Sequence, residues 1–132
     1  MKVLFVCTGN TCRSPLAEVL CLALKPGWEA RSRGLAAYEN AAASAQSAEA
    51  ARERGCDLSQ HQAHMVREED MEWADAVYGM TMAHAAMLRT VFPAFAGKVK
   101  EMPGGDVPDP LGGTLSDYRA CAGRFEQDIA QL

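Results

Sequence analysis

Short apolar runs alternate with amphipathic segments along the chain. The runs predict four buried strands, at Lys2–Val6, Trp28–Leu35, Asp75–Met80 and Val99–Met102. Segments with helical periodicity follow them, at about Ser14–Leu24, Ser44–Arg54, Met82–Val91 and from Thr114 or Ser116 to the C-terminus. Alternation of strands and helices with short connections is typical of a parallel sheet covered on both faces. We therefore expect an α/β fold, a three-layer α/β/α sandwich around a four-stranded parallel sheet.

Several residues predict where these helices begin and end. Ser14 followed by Pro15 predicts an N-cap and a proline in the first helical position. Gly55 predicts the end of the second helix. The acidic run after Arg67 is typical of a solvated helix start that Asp70 caps or braces. We expect five methionines in the core: Met65, Met71, Met80, Met82 and Met87.

Composition narrows the possible functions. The 132 residues predict one domain, 1–132, and 48% hydrophobic residues suffice for a core. A net charge of −4 argues against a nucleic-acid partner, and no apolar run is long enough to cross a membrane. The N-terminal segment does not resemble a signal peptide, and an odd number of cysteines, five, indicates a reducing cytoplasm. We expect a cytoplasmic monomer or weak dimer.

The first strand–helix turn carries the most informative residues. Cys7 leaves the strand, and five residues later Arg13 and Ser14 open the helix. Such a loop can direct successive N–H groups at an oxyanion, and Gly9 and Asn10 tolerate the left-handed conformations that the curl requires. The helix N-terminus and the Arg13 guanidinium add positive charge, which favours a Cys7 thiolate ready to attack phosphorus. The predicted phosphate-binding residues are Thr8, Gly9, Asn10, Thr11, Cys12 and Ser14.

A thiolate phosphatase also needs an acid for the leaving group and a base for water. One carboxylate can perform both tasks in turn. Asp109 precedes Pro110 in a loop rich in glycine, Pro103–Gly113, and is the candidate; Asp106 in the same loop is its competitor. The histidines and carboxylates show no ligand spacing, so we expect no metal and no cofactor.

The loop and further segments resemble the low-molecular-weight protein tyrosine phosphatase family. The matching segments are Leu4–Glu18, Arg31–Gly34, Asp57–His61, Asp70–Asp75, Met80–Thr81 and Asp109–Pro110. The resemblance implies that Cys7 is the nucleophile, Arg13 the phosphate clamp and Asp109 the general acid and base. It also implies that His61 is structural, and that Cys12 can pair reversibly with Cys7 to protect it from irreversible oxidation. The other cysteines show no such pattern.

Within this family the sequence is most similar to a bacterial branch that dephosphorylates protein phosphoarginine. Thr11 stands where that branch has threonine and where tyrosine-directed members more often have Ile or Leu. Asp109–Gly113 resembles the Asp-Pro-aromatic-Gly-Gly segment of the branch, except that Leu111 replaces the aromatic residue. Tyr38 is a candidate for the missing aromatic wall. Arg33 replaces the family's usual alanine, and the sequence offers no reason for it.

Three other functions remain as alternatives. Phosphotyrosine hydrolysis by the same machinery is the nearest. A thioredoxin-coupled arsenate reductase shares the loop but needs further cysteines, and the segment Met82–Arg89 contains none. A phosphoryl-carrier subunit of a sugar uptake system also has a cysteine after its first strand, but such a carrier has no use for Arg13 and Asp109. The expected partner is a phosphorylated protein substrate.

Overall fold

The computed structural model describes residues 1–132 and contains one four-stranded sheet. Its strands are β1 (Lys2–Cys7), β2 (Glu29–Gly34), β3 (Ala76–Gly79) and β4 (Val99–Glu101). They lie in the order β2-β1-β3-β4, and each neighbouring pair is parallel. The predicted four-stranded parallel sheet is confirmed, and each predicted strand is present within two residues at either end.

Five α-helices connect and cover the strands. They are α1 (Arg13–Leu24), α2 (Ala45–Arg52), α3 (Glu68–Trp73), α4 (Met82–Val91) and α5 (Leu115–Ile129). A short 3-10 helix, Pro93–Lys98, precedes β4. None of the helices combines the length and hydropathy that crossing a membrane requires.

Alternation along β1 divides the core into two layers. Val3, Phe5 and Cys7 belong to a cluster formed with α1, α2 and α5, while Leu4 and Val6 belong to a second cluster formed with α3 and α4. Successive side chains of a strand point to opposite faces of its sheet, so one buried strand supplies both layers. The helices therefore cover both faces, and the predicted α/β/α sandwich is confirmed.

Most predicted helix ends are confirmed, but the start of α1 is not. Ser44 caps α2 by accepting from the Ser47 amide at 3.2 Å, and Gly55 follows with a φ of +75°. Ser14 is not an N-cap: α1 begins at Arg13, and its N-cap residue Cys12 makes no side-chain capping bond. The Ser14 hydroxyl is instead engaged by the loop that precedes the helix.

The methionine prediction is partly wrong. Met71 and Met80 are fully buried, but Met82 and Met87 on α4 are 62% and 50% exposed. Helix α4 already buries Ala85 and Leu88 against the sheet, so the two exposed methionines lie outside its core-facing stripe.

The carboxyl end of the sheet brings the chemically informative segments together. Cys7 ends the central strand β1, and Met80 follows its neighbour β3. The loop 103–113, which carries the candidate acid Asp109, is called the acid loop. Its Val107 amide donates to the Met80 carbonyl at 2.8 Å. Ligands of open parallel sheets bind at this edge, where connections leave in opposite directions. The turn after β1 and the loop 103–113 therefore face the same crevice.

Close packing between β3 and α4 leaves no room for a side chain at Gly79, so a substitution there should destabilise the fold. A Cβ added at Gly79 would lie 2.7 Å from the Ala85 backbone nitrogen, whereas one at Gly97 would meet nothing within 4 Å. Gly79→Ala should lower the free energy of unfolding by about 2 kcal/mol because backbone must shift to admit the methyl group. Gly97→Ala, the matched control, should change it by less than about 0.5 kcal/mol in urea denaturation. Equal stability of the two variants would contradict the packing described.

Candidate active site

The turn between β1 and α1 closes around one left-handed residue. Asn10 has a φ of +56° and is fully buried, whereas Gly9 lies outside the left-handed region. Of the two residues expected to permit the curl, only Asn10 uses this conformation, which asparagine tolerates better than most residues.

Hydrogen bonds pair every polar group of Asn10. Its side-chain amide donates to Ser14 Oγ at 2.9 Å, and its Oδ1 accepts from the His64 amide at 3.0 Å. Its carbonyl oxygen is 2.7 Å from His61 Nε2. Burial lowers the pKa of His61, so the ring is neutral at neutral pH and can donate from Nε2. His61 thus contacts the loop's backbone, as the resemblance implied for a structural residue.

The Cys7 sulfur lies inside this loop. It is 2.9 Å from Ser14 Oγ, and the Asn10 amide donates to it at 3.3 Å. Ser14 Oγ also lies 3.3 Å from the Arg33 carbonyl oxygen. Because Asn10 donates to the Ser14 oxygen, the single hydroxyl hydrogen remains free for either Cys7 or Arg33. Ser14 can therefore donate to a Cys7 thiolate and turn away when the sulfur needs no donor.

Arg13 connects the loop to the predicted acid. Its guanidinium donates to the Val107 carbonyl at 3.1 Å and approaches Asp109 Oδ2 to 3.6 Å. The Arg13 side chain is 7% exposed and that of Asp109 is 50% exposed, so a buried cation faces a carboxylate at the mouth of the site. The Leu111 amide donates to Asp109 Oδ1 at 3.0 Å, which holds the carboxylate in a local turn.

Asp106, the competing carboxylate, is engaged elsewhere. Its Oδ1 accepts from the Met82 amide at 2.7 Å, at the N-terminus of α4. Arg124 of α5 donates to the Asp106 carbonyl at 3.1 Å and ion-pairs with buried Asp128 at 2.8 Å. These contacts fix the first half of the acid loop, and they leave Asp109 as the carboxylate beside Arg13.

His84 is a site residue that sequence reasoning missed. Its Nε2 lies 2.8 Å from Thr8 Oγ1 and its Nδ1 lies 2.8 Å from Thr81 Oγ1. Burial, with a smaller contribution from Arg13, lowers the pKa of His84. A threonine N-cap two residues after β3, with a histidine three residues later, was the available signal. The pattern did not reveal that the ring contacts the turn after β1.

Cys12 lies among hydroxyl groups on the helix side of the loop. Its sulfur is 3.5 Å from both Ser44 Oγ and Tyr118 Oη and 3.8 Å from Thr11 Oγ1. Burial raises the pKa of Tyr118, with a further contribution from its contact with Cys12. All five cysteines are free thiols.

Two other cysteines are held in their protonated form. Burial raises the pKa of Cys21 to about 11 and that of Cys121 to about 12. A protonated thiol is a poor nucleophile, so neither Cys21 nor Cys121 is a candidate nucleophile.

The three predicted selectivity residues lie at different depths. Thr11 is partly buried in the loop, whereas Tyr38 is 86% exposed and Leu111 is 70% exposed. With so much of each side chain in solvent, neither Tyr38 nor Leu111 forms a fixed wall around the site.

The structure supplies a reason for Arg33. Its Nε pairs with Asp70 at 3.2 Å, and Arg31 pairs with the other oxygen of the same carboxylate at 3.3 Å. Asp70 is 2% exposed and also accepts from the Arg67 amide at 3.0 Å. The buried carboxylate thus joins β2 to α3 through Arg33, whose carbonyl oxygen faces Ser14, and it caps α3 as predicted.

Comparisons with known proteins agree with the fold. A family model, low molecular weight phosphotyrosine protein phosphatase, matches residues 2–132. A protein-arginine-phosphatase of Bacillus subtilis (strain 168) is 37% identical over 142 residues, which cover 100% of this chain and 94% of the relative.

Two solved structures are similarly close. The low molecular weight protein tyrosine phosphatase from T. tengcongensis superposes with a TM-score of 0.93 and 40% identity, covering 99% of this chain and 96% of its own. A YwlE arginine phosphatase, the C7S mutant with a phosphorylated active site serine, has a TM-score of 0.92 and 36% identity. The superposition covers 99% of this chain and 92% of that chain. The chain belongs to the low molecular weight phosphotyrosine protein phosphatase family.

Proposed function

We propose that this phosphatase hydrolyses phosphorylated protein side chains through a phosphocysteine intermediate on Cys7, with phosphoarginine as the preferred substrate. The observation that carries the proposal is the arrangement of three groups at one edge of the sheet. Cys7 is buried where the loop after β1 begins, Arg13 ends that loop at the start of α1, and Asp109 faces Arg13 at 3.6 Å.

In the first step the Cys7 thiolate attacks phosphorus in line with the leaving group. The S–P bond forms while the P–N bond of phosphoarginine breaks, and Asp109 gives its proton to the departing guanidine nitrogen. The loop amides and Arg13 hold the equatorial oxygens and stabilise their charge in the transition state. The arginine side chain leaves as a protonated guanidinium, and the phosphoryl group remains on Cys7.

In the second step water replaces the sulfur on phosphorus. Asp109, now a carboxylate, accepts a proton from that water as the P–O bond forms and the S–P bond breaks. The electron pair returns to sulfur, where the Ser14 hydroxyl at 2.9 Å can donate to the thiolate. Inorganic phosphate leaves and the enzyme returns to its starting state.

Two features support phosphoarginine as the substrate. Asp109 is half-exposed at the mouth of the site, where it can pair with a guanidinium as a carboxylate and protonate the leaving nitrogen as a carboxylic acid. Thr11 places a hydroxyl in the loop, and such a group suits a polar P–N substrate better than an aryl ester. A relative that shares 36% identity is a YwlE arginine phosphatase whose active site serine, in the C7S mutant, is phosphorylated.

Phosphotyrosine is the second candidate substrate. The 40% identical relative from T. tengcongensis is a protein tyrosine phosphatase, and the same Cys7, Arg13 and Asp109 chemistry serves an aryl ester. Neither Tyr38 nor Leu111 provides a fixed aromatic wall in this chain, so the ring of a phosphotyrosine substrate finds no fixed stacking partner at either residue.

We place the enzyme in the cytoplasm, where residues 1–132 act as one phosphatase domain. Five free thiols, two of them in the phosphate-binding loop, are consistent with a reducing compartment. Oxidation that joins Cys7 to Cys12 would silence the enzyme reversibly.

Substitution of the nucleophile tests the chemistry. Cys7→Ser should reduce kcat/KM on phosphoarginine peptides by at least about a thousandfold, since serine is a far weaker nucleophile at neutral pH. Cys56→Ser, which changes a half-buried thiol outside the loop, should keep full activity. Both variants should show wild-type circular dichroism. Substantial turnover by Cys7→Ser would overturn the mechanism.

The two carboxylates of the acid loop form a matched pair. Asp109→Asn should slow phosphoarginine hydrolysis by about a hundredfold and p-nitrophenyl phosphate hydrolysis far less, because p-nitrophenolate is a stable anion that leaves without being protonated. Asp106→Asn should affect both substrates alike, through the α4 contact alone. A leaving-group dependence for Asp106→Asn instead would transfer the acid role to that residue.

Thr11 tests the substrate preference. Steady-state kinetics on matched phosphoarginine and phosphotyrosine peptides should show a wild-type preference for phosphoarginine. Thr11→Ile should shift the ratio of kcat/KM toward phosphotyrosine by about tenfold, and Thr11→Val separates loss of the hydroxyl from added bulk. A wild-type preference for phosphotyrosine would leave the phosphatase assignment intact and refute phosphoarginine.

A further inference from the structure

Helix α4 exposes a second apolar stripe beside the phosphate-binding loop. Ala83, Met87 and Val91 recur every four residues and therefore line up along one face of the helix. Met87 is 50% exposed and Val91 is 53% exposed, while the core-facing residues Ala85 and Leu88 are fully buried. The exposed stripe is thus additional to the apolar surface that the fold itself uses.

The stripe forms one wall of an open groove of about 460 Å³. Its other wall comes from the segments that follow β2 and precede α3, including Leu35, Ala36 and Val66. His84 is the only titratable residue that lines it, and burial lowers the pKa of that ring. An uncharged groove of this kind favours an apolar occupant over an ionic one.

The groove is continuous with the site of chemistry. Thr8 and His84 line it, and the same two side chains lie 2.8 Å apart where the phosphate-binding loop begins. The Ala36 amide also donates to the Thr8 carbonyl at 2.9 Å, so the second wall reaches the loop as well. A chain that presents a phosphorylated side chain to Cys7 can therefore continue along the groove past Thr8 and His84.

We propose that the groove binds an extended stretch of the phosphorylated protein substrate that carries apolar side chains next to the phosphorylated residue. From His84 to Val91 the helix rises about 10 Å, which is the length of about three extended residues. The inference rests on the proposed function, and it assigns to this enzyme a preference for apolar residues flanking the phosphorylated position.

The test uses phosphoarginine peptides that differ only in three flanking residues. One set carries Leu-Val-Leu on the N-terminal or the C-terminal side, and the other carries Ser-Gly-Ser at the same places. Wild-type enzyme should prefer an apolar flank on one side by about tenfold in kcat/KM, chiefly through KM. Met87→Ser should remove that preference and leave p-nitrophenyl phosphate hydrolysis unchanged.

Leu22→Ser is the matched control, because Leu22 is 45% exposed on α1 and does not line the groove. It should keep the flank preference. Equal kcat/KM for both peptide sets in the wild-type enzyme would overturn the inference, as would a Met87→Ser loss that extends equally to p-nitrophenyl phosphate. A concentration-dependent dimer abolished by Met87→Ser would assign the groove to a second copy of this chain instead.

An error in the groove assignment and an error in the proposed function would give different experimental results. A wild-type enzyme that hydrolyses p-nitrophenyl phosphate and phosphoarginine without regard to the flanks refutes the groove alone. A wild-type enzyme that hydrolyses neither refutes the proposed function and this inference together.

Discussion

The left-handed, fully buried Asn10 is the constraint on which the rest of the site depends. One residue turns the chain back after β1, directs its own amide at the Cys7 sulfur and donates from its side chain to Ser14. Its remaining oxygens are held by His61 and His64, which lie on a different segment of the chain. A buried polar group left unpaired is costly, so the loop keeps this shape only while those partners are in place.

A second set of contacts ties the acid loop to this arrangement. Arg13 bonds to the Val107 carbonyl, the Val107 amide bonds to the end of β3, and Arg124 holds the preceding residues from α5. The first half of the loop is therefore part of the framework. Asp109 and Leu111 project into solvent beyond it, where a protein substrate can reach the carboxylate without first displacing the core.

Local patterns predicted most of the fold and the loop. Apolar runs located the strands, Gly55 and Thr114 marked helix ends, and the spacing of Cys7, Arg13 and Ser14 singled out the turn between β1 and α1 as the candidate anion-binding site. These features depend on neighbouring residues, which is why one sequence suffices to identify them.

Contacts between distant segments could not be predicted. His84 contacts Thr8 from 76 positions away, and Arg33 pairs with Asp70 from 37 positions away. The exposure of Met87 depends on how α4 is rotated against the sheet. Periodicity alone does not determine that rotation, because the helix carries two apolar stripes. Ser14 failed as a predicted cap because Cys7 and Asn10, both earlier in the chain, use its hydroxyl.

The most direct measurement is rapid acid quenching of the wild-type enzyme during turnover of a phosphoarginine peptide, followed by peptide mass spectrometry. Phosphate should be found on Cys7 and on no other residue, and it should accumulate on the timescale of the first turnover. Phosphate on a different side chain, or steady turnover with no phosphorylated enzyme at any time, would contradict the account. Either result would mean that the loop built around Asn10 binds the phosphoryl group without supplying the nucleophile.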